Sequence, residues 1–210
     1  MGNVLSANVG QSPARQAAIF AGIDAHTDAT TINKVCASGM KATALGAQHI
    51  QLGQSDLLVT GGMESMSNTP HYANLRKSNK LGHTEFVDGI LRDGLTDVYN
   101  QFHMGNAAEL AVRKYNLSRE AQDEYALGSY AKAEAATKAG KFADEIVPVE
   151  VKTKSGSMSI TDDEDIYKVI PEKVGKLAPV FEQGGTITAA NASNLNDGAA
   201  ALVLASREAV

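Results

Sequence analysis

Tryptophan is absent, and only 5% of the residues are aromatic. A core without large rings has to close through small side chains, and here alanine and 19 glycines supply them. There is one cysteine, Cys36, so an internal disulfide framework is excluded and a reducing compartment fits. Positive charge is not in excess: 19 Lys and Arg face 24 Asp and Glu, a net of −5. That excludes the basic stripe of a nucleic-acid surface. No apolar run approaches the length of a membrane span. Met1–Gly2–Asn3–Val4–Leu5 carries neither a charged leader nor an apolar signal core. The sequons at Asn116 and Asn191 are therefore read as chance matches.

What is present is globular. The chain has 210 residues, 43% hydrophobic and 20% charged, enough for one large or two small domains with a core. Residues 1–10 read as a short apolar piece, and the chain reads as starting in mid-fold. Ser12 is expected to cap a helix opened by Pro13 and ended by Gly22. Thr30, Thr31, Ile32 and Val35 form a β-branched approach to Cys36, predicting a strand. From Ala37 to about Leu52 the residues are small or helix-forming, with Gly39, Ala42, Gly46 and Ala47 marking a helix buried against a neighbour. Asp56–Thr60 is a predicted strand in a parallel, doubly covered sheet, followed by a Gly61–Gly62 loop. Strand, helix and strand at this spacing make a βαβ unit, so the class is α/β.

Irregular sequence from about 66 to 105 is read as an inserted subdomain, because so long a structureless loop is unlikely in a compact domain. A helix is expected from Asn106 to Tyr115, and another from Arg119 to Ala139, capped by Ser118 and stopped by Gly140. Glu145–Lys152 reads as a strand and Asp162–Asp165 as a solvated acidic turn. Lys168, Lys173 and Lys176 form a basic cluster. Ala199–Ala205 is a predicted buried strand, and a helix is expected to begin at Arg207.

Cys36 carries two readings on these residues alone. A free cysteine is commonly a small buried apolar group. A thiol between a strand and a helix N-terminus instead meets unpaired amides and the positive end of the helix dipole, which favour the nucleophilic thiolate. His26, His49, His71 and His83 are read as structural.

Four motifs decide between these readings. They are Val35–Cys36–Ala37–Ser38–Gly39–Met40, Gly61–Gly62–Met63–Glu64–Ser65–Met66–Ser67, His103–Met104–Gly105, and Asn191–Ala192–Ser193 with Leu195–Asn196–Asp197–Gly198–Ala199–Ala200. Together they resemble the thiolase family over essentially the whole chain. The resemblance implies a thiolase-like α/β fold: a mixed or parallel sheet with a buried helix, plus an inserted α+β loop subdomain. It divides the chain into an N-terminal core at 1–65, the insertion at 66–185 and a return strand at 186–210. Family members are about twice this length, with a strand-helix-strand unit before this stretch and a second, similarly folded half after it.

Phe102–His103–Met104–Gly105 resembles the short-chain type, which implies acetyl-CoA C-acetyltransferase chemistry: two acetyl-CoA to acetoacetyl-CoA and coenzyme A, and the reverse. The alternatives are a 3-ketoacyl-CoA thiolase of broader chain length, or a non-catalytic fragment that binds coenzyme A or a partner. By resemblance Cys36 is the nucleophile, and His103 and Met104 shape the acyl pocket. Tyr130, Lys173 and Ser193 contact coenzyme A. In this chain the 168–176 segment is one residue shorter than in relatives, and Val169 or Ile170 stands near an arginine they use. Tyr130, Ala189, Ala190, Ala192 and Ser193 match a potassium site of animal mitochondrial members. No covalent cofactor is implied. The implied partners are acetyl-CoA or acetoacetyl-CoA and further copies in a dimer or tetramer, with residues 63–83 at tetramer contacts. Neither nucleic acid nor membrane is implied, and the compartment is either cytoplasm or mitochondrion. The second cysteine, the activating histidine and the oxyanion asparagine of the family have no counterpart in these 210 residues, so the polypeptide alone is expected to be inactive.

Overall fold

The helix after Cys36 lies against a sheet because its residues leave no bulk between them. In the computed structural model, which describes residues 1–76, 81–154 and 156–210, the first helix is α1 (Pro13–Phe20) and this one is α2 (Ser38–Gln51). A Cβ on Gly46 would sit 2.7 Å from Thr60 Cγ2 and 3.0 Å from Leu204 Cδ1. Those side chains belong to β1 (Leu57–Ser65) and to the last strand of the chain.

The chain forms two units, Met1–His103 with Asn194–Val210, and Met104–Ser193. In the first, β1 is followed by the short pair β2 (His71–Tyr72) and β3 (Val87–Asp88). Tyr72 donates its hydroxyl to Asp93 at 2.7 Å, and that bond pushes its pKa up to about 12. Gly2 bridges Ile32 and Gly62 in parallel, placing Met1–Asn3 between two other segments. Glu64 locks this piece: its carboxylate accepts from Asn3 Nδ2 and from the amides of Val4 and Leu5 at 2.9–3.0 Å.

The second unit begins with α3 (Met104–Tyr115) and α4 (Arg119–Lys138). It continues with the hairpin β4 (Val149–Thr153) and β5 (Gly156–Ile160), then α5 (Pro171–Val174). The chain returns to the first unit in β6 (Asp197–Ala205). Ser118 caps α4 as expected, its hydroxyl accepting from the Ala121 amide at 3.1 Å.

Several expectations are corrected. β1 runs straight through Gly61 and Gly62 instead of ending before them, and it pairs β6 antiparallel from Leu57↔Ala205 to Ser65↔Asp197. The sheet is mixed, which agrees with the family expectation: the Gly2 bridges are parallel and β1–β6 is antiparallel. The approach to Cys36 is single bridges at Ile32, Lys34 and Cys36 and no continuous strand. Ser12 adopts a left-handed backbone and does not cap α1; Thr31 Oγ1 takes the Ala14 amide instead, at 3.1 Å. β6 is largely exposed, where a buried strand was expected. The strand read at Glu145–Lys152 begins only at Val149 and belongs to a hairpin. Residues 207–209 form a turn. Within 63–83, residues 77–80 lie outside the described residues. The core is thin: among the described residues the buried apolar side chains are Leu5, Pro13, Ala14, Ala42, Val174 and Ile187.

Candidate active site

Cys36 stands two residues before α2 and is exposed, so the packing role of a buried thiol is ruled out. Ser38, buried at the first position of the helix, fastens the turn around it. Its hydroxyl accepts from the Lys34 amide at 2.8 Å and donates to the Val35 carbonyl at 2.6 Å. Between them Val35 is held at φ +48°, a left-handed conformation that a β-branched residue adopts only under strain. Asn33 Oδ1 stabilises it by accepting from the Val35 amide at 3.0 Å. The 14 residues of α2 direct the positive end of a helix dipole toward this turn. Close packing fixes the helix start: a Cβ on Gly2 would fall 2.5 Å from the Gly39 nitrogen. An exposed thiol on a rigid, strained turn at a helix N-terminus is an arrangement suited to nucleophilic attack.

His103 is half-buried and bridges Thr96 in the same unit as Cys36. Met104 begins α3 in the other unit, together with Tyr130, Lys173, Ala189, Ala190, Ala192 and Ser193. Tyr130 is half-buried on α4, seven residues along from Asp123 and so on nearly the same face. Lys173 is exposed on α5. Lys168 is no free cation for a ligand, since it pairs with Glu164 at 3.1 Å and Asp165 at 2.7 Å. The 188–193 segment turns on the Thr188 carbonyl, which accepts from the amides of Asn191 and Ala192. The turn presents backbone carbonyl oxygens, donors of the kind hard cations prefer.

The residues that hold this segment are ones the sequence reading passed over. Glu109 accepts from the amides of Thr186 and Ile187, and Asp123 accepts from Asn191 Nδ2. Burial alone would raise the Glu109 pKa. The bonds from Ile187 and Thr186, with the Arg113 charge, outweigh it and hold the carboxyl below its usual value. One signal was available. Glu109 lies one turn beyond Gly105, itself buried so tightly that a Cβ would enter the Phe181 ring, and an acid on a buried helix stripe needs a partner.

The family model for the thiolase N-terminal domain matches residues 1–208. A mitochondrial acetyl-CoA acetyltransferase of Gibberella zeae is 54% identical over 99% of this chain and 49% of its own length. A cytosolic acetyl-CoA acetyltransferase of the same organism is 55% identical over 98% of this chain and 52% of its own. The crystal structure of Acat5 thiolase from Ascaris suum in complex with coenzyme A superposes with a TM-score of 0.90 at 49% identity, covering 99% of this chain and 53% of that one. The chain thus spans about half the length of the curated relatives it matches. With both the fold and the sequence matched along nearly all of its length, the chain belongs to the thiolase family.

Proposed function

We propose that this chain carries the nucleophile of an acetyl-CoA C-acetyltransferase. The single observation behind this is Cys36, an exposed thiol on a strained turn at the N-terminus of α2. In the forward reaction its thiolate attacks the acetyl carbonyl carbon. A new carbon–sulfur bond forms, the bond to coenzyme A breaks, and the departing thiolate takes up a proton. A second acetyl-CoA then loses an α-proton and attacks the acyl-cysteine, forming the carbon–carbon bond and releasing the Cys36 thiolate. The reverse sequence is thiolysis of acetoacetyl-CoA.

The remaining assignments follow the family resemblance. His103 and Met104 line the short acyl pocket, and Tyr130, Lys173 and Ser193 contact coenzyme A. The insertion between the two parts of the core carries most of the coenzyme A contacts. Tyr130 with the carbonyls of Ala189, Ala190 and Ala192, and with Ser193, would hold a potassium ion beside coenzyme A, supplying positive charge near it. The working protein is a dimer or tetramer, in mitochondrion or cytoplasm.

The test is reconstitution. Alone, the purified chain is expected to give no measurable thiolysis of acetoacetyl-CoA, because Cys36 is its only cysteine and the reaction needs a second one as base. Co-expressed with the portion of the mitochondrial Gibberella zeae relative that it does not cover, it should regain turnover, and Cys36→Ala should abolish it. Full turnover by the chain alone, or by the reconstituted Cys36→Ala protein, overturns the assignment. Chain-length profiling of the reconstituted protein separates the acetoacetyl type from a broader 3-ketoacyl thiolase. Coenzyme A binding without any turnover after reconstitution would favour a non-catalytic binding role.

A further inference from the structure

The segment Thr186–Ser193 carries four of the residues assigned above to coenzyme A and its cation, yet no regular secondary structure gives it shape. A buried carboxylate does. Glu109, on α3, is 1% exposed. Its Oε1 accepts from the amides of Thr186 at 2.7 Å and Ile187 at 2.8 Å, and its Oε2 from the Thr186 hydroxyl at 3.0 Å. Gly185 makes room for this approach, since a Cβ there would lie 2.5 Å from Glu109 Oε1. Gln122, on α4, donates to the same Thr186 hydroxyl oxygen at 3.0 Å.

A second hold sits farther along the segment. Asn191 donates to Asp123 at 2.9 Å and accepts from the Thr188 amide at 2.7 Å. Asp123 in turn takes Arg119 Nε at 2.7 Å, and Arg119 reaches the carbonyls of Val174 and Leu177 around the Lys173 segment. An ionised carboxylate makes each of these bonds charge-assisted, and so stronger than the same bond to a neutral acceptor. Burying that charge is costly unless every lone pair facing protein is used. The result is a fixed backbone at Thr186 and Ile187, where the segment that carries the assigned residues begins.

We propose that Glu109 is a positioning residue: it fixes the 186–193 segment in the shape that receives coenzyme A, acting through Thr186 and Ile187 without touching the ligand. This rests on the coenzyme A assignment above, and the test separates the two.

Coenzyme A is titrated calorimetrically into the 210-residue chain and into Glu109→Gln, Thr186→Val and the double variant, with amide hydrogen exchange followed in each. Glu109→Gln removes the charge and puts an NH2 group where Oε2 accepts from the Thr186 hydroxyl, leaving one neutral oxygen for the two amides. Binding should weaken at least tenfold, and exchange at Thr186 and Ile187 should accelerate at least tenfold, with α3 and α4 still protected. The double variant should bind no more weakly than Glu109→Gln, a non-additivity that general loosening would not give. If Glu109→Gln does not fold, Thr186→Val alone reads the same link, and about threefold weaker binding is expected. Affinity within twofold of wild type despite faster exchange overturns the proposal, as does additive behaviour of the pair. Failure of the wild-type chain to bind coenzyme A overturns the assignment it rests on. Exchange at Thr186 and Ile187 then still decides the loop-holding role, and unchanged exchange in Glu109→Gln ends it.

Discussion

A methyl group on Gly61 would sit 2.0 Å from the Ala200 carbonyl oxygen, at a φ of +148° that disfavours any side chain. Gly61→Ala should therefore destabilise the β1–β6 pair by about 3 kcal/mol or more, combining backbone strain with a clash against main chain. Urea denaturation followed by far-UV circular dichroism checks this, and a midpoint within error of wild type refutes it. Val35 predicts the opposite sign. Its left-handed φ of +48° stores strain while its side chain is half exposed, so Val35→Gly should relieve more than it loses. Relief of about 1–3 kcal/mol against a glycine entropy cost of about 0.5–1 kcal/mol leaves net stabilisation near 1 kcal/mol. The thiol beside it should then react more slowly with iodoacetamide if the strained turn presents it. At this scale the sequence was partly legible. Cys36 between β-branched residues and a helix marked the thiol, but nothing local told that Val35 is left-handed or that Ser38 ties the turn. The bonds that hold the turn are local, but the helix start they tie is also packed against Gly2, 37 positions before Gly39.

At the scale of elements, α4 formed where its local signal placed it. Ser118 before an uninterrupted run of helix formers set α4, and Ser118→Ala should cost about 1 kcal/mol by leaving the Ala121 amide unpaired. Amide exchange at Ala121 reads this directly, and unchanged protection would refute it. Ser12 carried the same signal and failed, because Thr31 reaches the Ala14 amide from 17 positions away and leaves Ser12 in a left-handed turn. Tertiary contact overrode a local cap. The β4–β5 hairpin was half seen for a related reason. Val149 and Val151 alternate with Glu150 and Lys152 as a strand should, whereas Gly156–Ser157–Met158–Ser159–Ile160 carries little strand preference and is ordered by pairing across the turn. Acidic pH should loosen the loop anchored on α3 before it affects α4. The Glu109 pKa is lowered by folding, so its contribution is present in full above the ordinary glutamate value and is lost as pH falls through the folded value. Stability measured by urea from pH 7 downward should fall less steeply at the acid end in Glu109→Gln than in wild type. Parallel acid limbs would show that folding leaves the Glu109 pKa unchanged and would refute the prediction.

Within the first unit, among the described residues, α2 covers one face of the sheet. Register sets Leu58 opposite Leu204 and Thr60 opposite Leu202, and this face meets α2 through Gly46. The reverse face carries Leu57 and Val59 opposite Ala205 and Val203, with Leu57 64% and Val203 68% exposed. A strand pair with apolar residues on both faces is what a sheet buried from both sides requires, and one helix layer satisfies half of it. Bare apolar patches of this kind favour self-association or contact with other surfaces. The purified chain should therefore bind a hydrophobic dye such as ANS and sediment as more than a monomer at micromolar concentration. Placing charges on the bare face, in a Val59→Lys and Val203→Glu double variant, should reduce both signals without disturbing the α2 face. The opposed pair of charges sits directly across the strands, so the sheet itself gains a favourable contact while the patch is broken. A monodisperse, dye-silent monomer of wild-type sequence would refute the bare face, and a double variant that unfolds would mean this face is packed.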